Sequence, residues 1–404
     1  MLFCGIDWAS RAHEVCVLDQ AGQPVARFGL AHTQQGLEAA LARLGALCPP
    51  EQLAVAIERP DGVLVACLAA AGHPVYPIRP NAFAAARARW GAAGSKDDPG
   101  DADKLADMLR TDHHRLRALR APTQESRELQ AISRTRDDQI AAKVAVINQL
   151  GALLDAHWPG AKAIFARLDS EIALAFLARY PTPQSAARLG PGRLRAFLVR
   201  HSYCGRRMPT ELLERLRAAP SAPAHLGEEV LAELVGAHVR LLRTLLSSIA
   251  DLERTLIAAL PEHRGAAILA PLPRVGQVNL GQLVGELGPL LERAEHLEAV
   301  AAECGAAPVT RASGQRRSVG FRFACSPQAR KALMTFADNS RHGSPWAQHI
   351  YAHARARGKR HPHAIRILAR AWLRVIWACW HSGQPYDPAR HGAFNRLTAK
   401  EGLT

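Results

Sequence analysis

LFCGIDW at 2–8, EVCVLD at 14–19 and PVARFGL at 24–30 decide the fold of the first part of the chain. Each is a short apolar run bounded by turn residues, which is the pattern of a β-strand. AGQP at 21–24 supplies a hairpin turn between the second and third. Residues 33–47 then carry Leu37, Leu41 and Leu44 at helical spacing, and QLAVAIE at 52–58 is an apolar run of the kind buried in the middle of a sheet. A helix over 62–71 and a strand over 74–78 (PVYPI) follow. The polar stretch GSKDDPGDAD at 94–103 runs into a helix through Arg110. Three strands, helix, strand, helix, strand and helices is the order of a ribonuclease-H-like mixed sheet, an α/β design.

From residue 124 the apolar spacing becomes that of long helices. Over 124–157 it runs through Leu129, Ile132, Ile140, Val144, Ile147 and Leu154. Over 228–260 it runs through Leu231, Val235, His238, Leu242, Leu245, Ile249, Leu252 and Leu256, an a/d seam that predicts a coiled coil or a long hairpin arm. Residues 158–227, rich in Pro, Gly, Ala and Arg, read as short helices and loops. A third region begins near 261. PLPRVGQVNLGQLVGELG at 271–288 places a glycine-containing turn between short helices, and ECGAAPVTRASGQRRSVGFRF at 303–323 reads as a basic, turn-rich loop. HAIRILARAWLRVIWACWHSGQPYD at 363–387 reads as an amphipathic helix whose Trp372, Trp377 and Trp380 suit a core better than a base-stacking platform. The stretch after about 390 reads as a partly disordered basic tail. The fold class is therefore α/β plus mainly α, with boundaries at 1–122, 123–262, 263–390 and 391–404.

Charge narrows the function. The 404 residues carry 51 Lys and Arg against 36 Asp and Glu, a net of +15, which points to a polyanion such as nucleic acid. Residues 1–110 are net −2, with 10 basic and 12 acidic side chains, whereas 111–404 are net +17. The acidic part suits metal binding and the basic part suits phosphate. No apolar run reaches membrane-spanning length, and MLFCGIDWAS lacks the features of a signal peptide. The eight cysteines are scattered without a C-x-x-C pair, so a disulfide framework or zinc ribbon is not expected, and a reducing cytoplasm is.

Asp7 stands in an apolar strand, Glu58 ends another, and Asp98 and Asp101 lie at a helix entry. Carboxylates gathered at strand ends suit hard, oxygen-seeking Mg²⁺, and a pair of such ions suits phosphoryl transfer. Taken singly, such acids are caps and dipole partners, and by composition Asp97 and Asp103 have nearly equal claim. Ser313 lies in a basic loop, TRASGQRR at 310–317, where Arg311, Arg316 and Arg317 suit a phosphate; by itself it reads as a turn serine. The turn at Leu272–Gly276 suits a phosphate or simple packing, and His201, His361 and His363 sit in basic surroundings.

Together these segments resemble the DEDD-type transposases of insertion sequences, serine-dependent recombinases guided by a bridge RNA. GIDWASRAHEVCVLD (5–19) is similar to their first strand region and AIERPDG (56–62) to the segment with their acidic Glu. KDDPGDADKLADML (96–109) selects Lys96, Asp98 and Asp101 over Asp97 and Asp103. PLPRVGQVNLGQLVGELG resembles the entry to their C-terminal transposase domain, ECGAAPVTRASG (303–314) their serine motif, and HPHAIRILARAWLRVIWACWHSGQPYDPARHG (361–392) the tail of one subgroup. One position departs: Arg274 stands in Pro273-Arg274-Val275-Gly276 where Gly is usual. The resemblance implies a RuvC-like N-terminal domain whose Asp7, Glu58, Asp98 and Asp101 hold Mg²⁺ in a two-metal site, with Ser313 forming a transient 5′-phosphoserine bond. It further implies donor and target DNA and a structured non-coding bridge RNA as partners, with Lys96, Arg274, Arg311, Arg316 and Arg317 as candidate nucleic-acid contacts. It implies a homo-oligomer, dimer to tetramer, joined through the coiled coil, with the acidic site and serine from different subunits, acting on DNA of a bacterial-type nucleoid. The competing expectations are a junction-resolvase-like nuclease that uses water, and a non-catalytic binding protein.

Overall fold

The computed structural model describes residues 1–90, 98–220, 226–314 and 316–401. The chain divides into two compact units, Met1–Ala121 and Pro122–Thr404.

In the first unit β1 (Leu2–Asp7), β2 (Ala12–Leu18) and β3 (Pro24–Ala31) are followed by α1 (Gln34–Gly45), β4 (Leu53–Ile57), α2 (Val63–Ala70), β5 (Val75–Pro77), α3 (Pro80–Ala86) and α4 (Asp98–Asp112). This is the element order read from the sequence, with ends moved by one or two residues. The sheet runs β3-β2-β1-β4-β5, with β1 antiparallel to β2 and parallel to β4. Alternation along the strands divides the core in two. Cys4, Ile6, Val55 and Ile57 pack with Leu37, Leu44, Leu64 and Leu68 of α1 and α2. Phe3, Ala54 and Ala56 face the other way and pack with Phe83 of α3 and Leu105 and Leu109 of α4. A layered α/β/α unit results.

Small residues let α4 lie close to this second face. A Cβ built on Gly5 would stand 2.0 Å from the Ala102 carbonyl oxygen and 2.5 Å from the Ala106 nitrogen. Only hydrogen fits there.

The second unit begins with α5 (Gln124–His157), which spans the stretch read as a long helix. Five short helices follow: α6 (Pro159–Ile164), α7 (Glu171–Arg179), α8 (Pro183–Ala186), α9 (Pro191–Arg200) and α10 (Pro209–Ala218). Then comes α11 (Glu228–Ala259). Its seam packs along α5 of the same chain, the hairpin-arm outcome. The buried line is Leu231, Val235, Val239, Leu242, Ile249 and Leu256, so Val239 takes the place expected for His238. Polar His238 instead reaches the Leu234 carbonyl through Nδ1 at 2.7 Å on the outer side. On α5 the buried line is Leu129, Val146, Leu150 and Leu154, whereas Val144 is 48% exposed. Arg136 pairs with Glu253 across the two helices at 2.6 Å.

The remaining helices are α12 (Arg264–Leu269), α13 (Gln277–Arg293), α14 (Leu297–Glu303), α15 (Pro327–Ser340), α16 (Pro345–Ala356), α17 (His361–Ser382) and α18 (Gly392–Glu401). Three sequence expectations change here. The segment after the 271–276 turn is one long helix rather than a short one, buried along 279–291 with Asn279, Gln282 and Glu286 hydrogen-bonded to neighbouring elements. Residues 303–323 contain a β-hairpin, β6 (Val309–Ser313) and β7 (Arg316–Gly320), where a loop was expected. The segment from 392 continues as α18, with Phe394 against the core, rather than as a disordered tail. Trp372 and Trp380 are core residues as expected, and Trp372 Nε1 donates to buried Ser340 Oγ at 2.7 Å.

The second unit also contains a buried histidine, His263, and a half-buried one, His391. His263 Nδ1 accepts the Gly265 N–H at 3.0 Å, which leaves Nε2 to donate to Ser126 Oγ at 2.8 Å. His391 packs on Trp346 and meets the Tyr386 hydroxyl at 3.2 Å. Burial lowers the pKa of both below the ordinary 6.5, with neighbouring Arg396 adding to the effect at His391. Below 6.5 the unfolded chain binds protons that these folded histidines refuse, so stability is full above that pH and falls as pH drops towards the folded-state values. Thermal unfolding between pH 7 and pH 5 is expected to show a falling midpoint, and His263→Gln is expected to flatten that slope.

Candidate catalytic sites

The parallel pairing of β1 with β4 sets Ile6 beside Ile57, and therefore the next residues, Asp7 and Glu58, beside each other at the carboxyl ends of the strands. The chain leaves β1 towards β2 and leaves β4 towards β5, so this is a topological switch point, where open α/β sheets form their binding crevices. Alternation places Asp7 on the face of Phe3 and Gly5, and Glu58 on the face of Ala54 and Ala56. That is the face covered by α4, which carries Asp101.

Two residues missed by the sequence reading brace this end of the sheet. Trp8 follows Asp7 and Arg59 follows Glu58, and the Arg59 guanidinium carbon stands 4.4 Å from the centre of the Trp8 ring. A Trp and an Arg directly after two acids on adjacent parallel strands is the signal that reveals such a brace. Behind it, His13 Nδ1 accepts the Ala9 N–H at 3.1 Å and Nε2 meets His32 Nδ1 at 2.8 Å. Burial, and then His32, lower the pKa of His13.

Asp101 is buried and carries two cationic partners, Arg87 Nη2 at 2.5 Å and Lys104 Nζ at 3.1 Å. Arg87 Nε is buried without a hydrogen-bond partner among the described residues, so this arrangement leaves a polar group unsatisfied. Asp103, the competing acid, is engaged elsewhere: it accepts from Arg27 at 3.0 Å and from the Cys16 thiol at 3.3 Å. Asp98 opens α4, but its side chain, like Lys96 and Asp97, lies outside the described residues. Among the described residues no three His, Cys, Asp or Glu side chains form a ready-made metal cluster.

Ser313 ends β6 at the tip of an exposed hairpin. Ser313 pairs with Arg316 across a two-residue connection whose Gly314 has φ +55°, the left-handed geometry that tight hairpins need. Directly paired residues share a face, so Arg316 lies on the Ser313 side, as do Arg311 and Ser318 two pairs further on. Arg317 pairs with Ala312 on the opposite face. The three arginines form no ion pair among the described residues, so the serine stands in an uncompensated positive field.

The turn before α13 has left-handed backbone at both Arg274 and Gly276. Arg274 has φ +56°, a conformation that favours glycine, and Gly276 has φ +63°. The Arg274 side chain packs over Gly343, where a Cβ would stand 2.6 Å from its Cγ. Contact with Gly343 accompanies the strained backbone.

The chain is similar to known transposases along its length. A family model for transposases, named for the DEDD group of IS110, matches residues 4–159. A second, described as transposase of the IS116/IS110/IS902 family, matches 266–352. The putative transposase of the IS117 mini-circle of Streptomyces coelicolor is 32% identical over 404 residues, covering 96% of both chains. An uncharacterized 42 kDa protein of insertion element IS900 from Mycobacterium paratuberculosis is 25% identical over 401 residues, 96% of this chain and 98% of that one. A 43.6 kDa protein of insertion element IS110, also from Streptomyces coelicolor, is 27% identical over 395 residues, 96% of this chain and 95% of that one. The chain belongs to the IS110/IS116/IS902 family of insertion-sequence transposases.

Proposed function

We propose that the chain cuts and rejoins DNA strands through a transient 5′-phosphoserine at Ser313, with Mg²⁺ held in a RuvC-like first unit by Asp7, Glu58, Asp98 and Asp101. The observation that carries this reading is the β1–β4 register, which sets two acids side by side at a switch point on the face where α4 presents a third. The donor set is oxygen-only, as Mg²⁺ requires. Arg87 and Lys104 occupy Asp101 and would have to release it, and the unsatisfied Arg87 Nε lowers the cost of that exchange. When bound, the metal supplies Lewis-acid stabilisation of the transferring phosphoryl group.

The protein's own part is as follows. Ser313 Oγ gives up its proton and bonds to phosphorus, and the bond from phosphorus to the 3′-oxygen breaks, that oxygen taking a proton. Arg311 and Arg316, on the serine's side of the hairpin, bind the non-bridging phosphate oxygens. The phosphoserine conserves the energy of the phosphodiester, so a second 3′-hydroxyl restores it by the reverse step. The carboxylates and the serine belong to separate compact units, which suits a homo-oligomer, dimer to tetramer, in which they act from different subunits. A structured bridge RNA pairs with donor and target DNA, and the excess of basic side chains beyond residue 110 holds both backbones.

Strand exchange on DNA containing the element's ends, reconstituted with its flanking RNA, tests this reading. The expected result is exchange that needs a divalent ion, stops on chelation, and is lost in Asp7→Asn. Undiminished exchange in chelator would overturn it. Cleavage without rejoining, unaffected by Ser313→Ala, would assign the chain to the water-using nucleases.

A further inference from the structure

A cleft of about 610 Å³ opens at the base of the serine hairpin, between the 305–308 turn, the end of β7 and one side of α17. Its floor is apolar, with Ile350, Ile367 and Ala371, and its rim is basic, with Arg322, Arg366, Arg370 and Arg374. Among the described residues no carboxylate lines it. Arg370 is paired with Glu298 at 2.6 Å. Arg322 donates to two backbone carbonyls, from Nε to Ala307 at 3.2 Å and from Nη2 to Pro308 at 3.5 Å. The Arg366 guanidinium lies 4.7 Å from the centre of the Phe321 ring, which Arg330 also approaches, at 4.5 Å. Arg374 is exposed and has no ion pair among the described residues. Apart from Arg370, the rim arginines pair with no acid among the described residues, and cations crowded this way call for an anion. His363, on the same rim, has its pKa lowered by burial and by Arg366 and Lys359, so the arginines carry the charge.

Beside the cleft stands Phe323, 82% exposed, its ring 4.7 Å from that of Phe321 in an edge-on contact. A large aromatic side chain left in water at the edge of a basic cleft is the arrangement that binds single strands, with bases stacking on the ring and phosphates on the cations. Bases within a duplex present no free face to it.

We propose that this cleft and Phe323 bind an unpaired nucleotide of a DNA strand, the phosphate on Arg322, Arg366 and Arg374 and the base on Phe323. The choice of DNA rests on the function proposed above, because the cleft continues directly into the hairpin that carries Ser313. Every base has a face that can stack on the exposed Phe323 ring, so the site is expected to tolerate any sequence.

Fluorescence anisotropy of the full chain tests this with a labelled single-stranded DNA of roughly 12 nucleotides, the same sequence as RNA, and the duplex. Phe323→Ala is expected to weaken single-stranded DNA binding about 5- to 150-fold and leave duplex binding unchanged, with Phe323→Trp restoring it. Arg374→Ala is expected to reduce the salt slope by about 0.7. Both side chains are exposed, so folding is not at stake. Unchanged single-strand affinity in Phe323→Ala, an equal loss on duplex, or a loss on RNA alone would overturn the proposal. Ser313→Ala is expected to bind single strands as the parent does, so failure of the serine chemistry and failure of this site are read separately.

Discussion

Gly5→Ala is expected to destabilise the first unit by about 1–3 kcal/mol or more and to abolish strand exchange. The added Cβ would meet backbone atoms of Ala102 and Ala106 at 2.0 and 2.5 Å, and neither can rotate away as a side chain tip would. Either α4 lifts from β1 or β1 distorts. Lifting α4 carries Asp101 away from the ends of β1 and β4, so stability and the proposed metal site are expected to fail together. Ala102, Ala106, Ala54 and Ala56 show that this whole interface depends on small residues, and one methyl group has nowhere to go. Gly45→Ala at the end of α1 is the control, because a Cβ there meets nothing within 4 Å. Thermal unfolding compares the two; equal midpoints for Gly5→Ala and the parent would show that the α4 contact does not constrain the unit.

Ser313→Ala is expected to remove excision and strand exchange altogether while leaving folding unchanged. The hairpin is exposed along its length, and the side chain contributes nothing to a core. Stability therefore would not explain a loss of activity, and the loss would point to the proposed nucleophile. Arg316→Ala, which removes the cation paired directly with Ser313, is expected to slow exchange without eliminating it. The contrast with Arg317→Ala, on the opposite face, separates local phosphate binding from general charge.

Much of the first unit was legible because its strands and helices keep strict periods. The runs at 2–8, 14–19, 24–30 and 52–58 became β1 to β4, since alternation and turn residues act locally. The β6–β7 hairpin was not legible, because its strands bury almost nothing and so carry no apolar alternation; what holds it is pairing across Gly314. On α11 the seam slipped from His238 to Val239 because an ideal heptad drifts against a 3.6-residue turn, and a polar His beside an apolar Val yields the buried position. The acids at 7, 58 and 101 were visible as candidates, but their common face follows only from the β1–β4 register and the seat of α4. The Arg87 and Lys104 contacts to Asp101, and the Trp8–Arg59 brace, depend on side-chain packing that no local pattern encodes. The left-handed backbone of Arg274 was not legible either, because a positive φ at a non-glycine residue carries no sequence signal.

The most direct measurement is to denature the protein during strand exchange, isolate any DNA that remains attached, and locate the attachment by peptide mass spectrometry. The expected result is a 5′-phosphate on Ser313 that requires Mg²⁺, disappears in Asp7→Asn, and never forms in Ser313→Ala. Exchange with no attached DNA, or DNA attached at another residue, would contradict it.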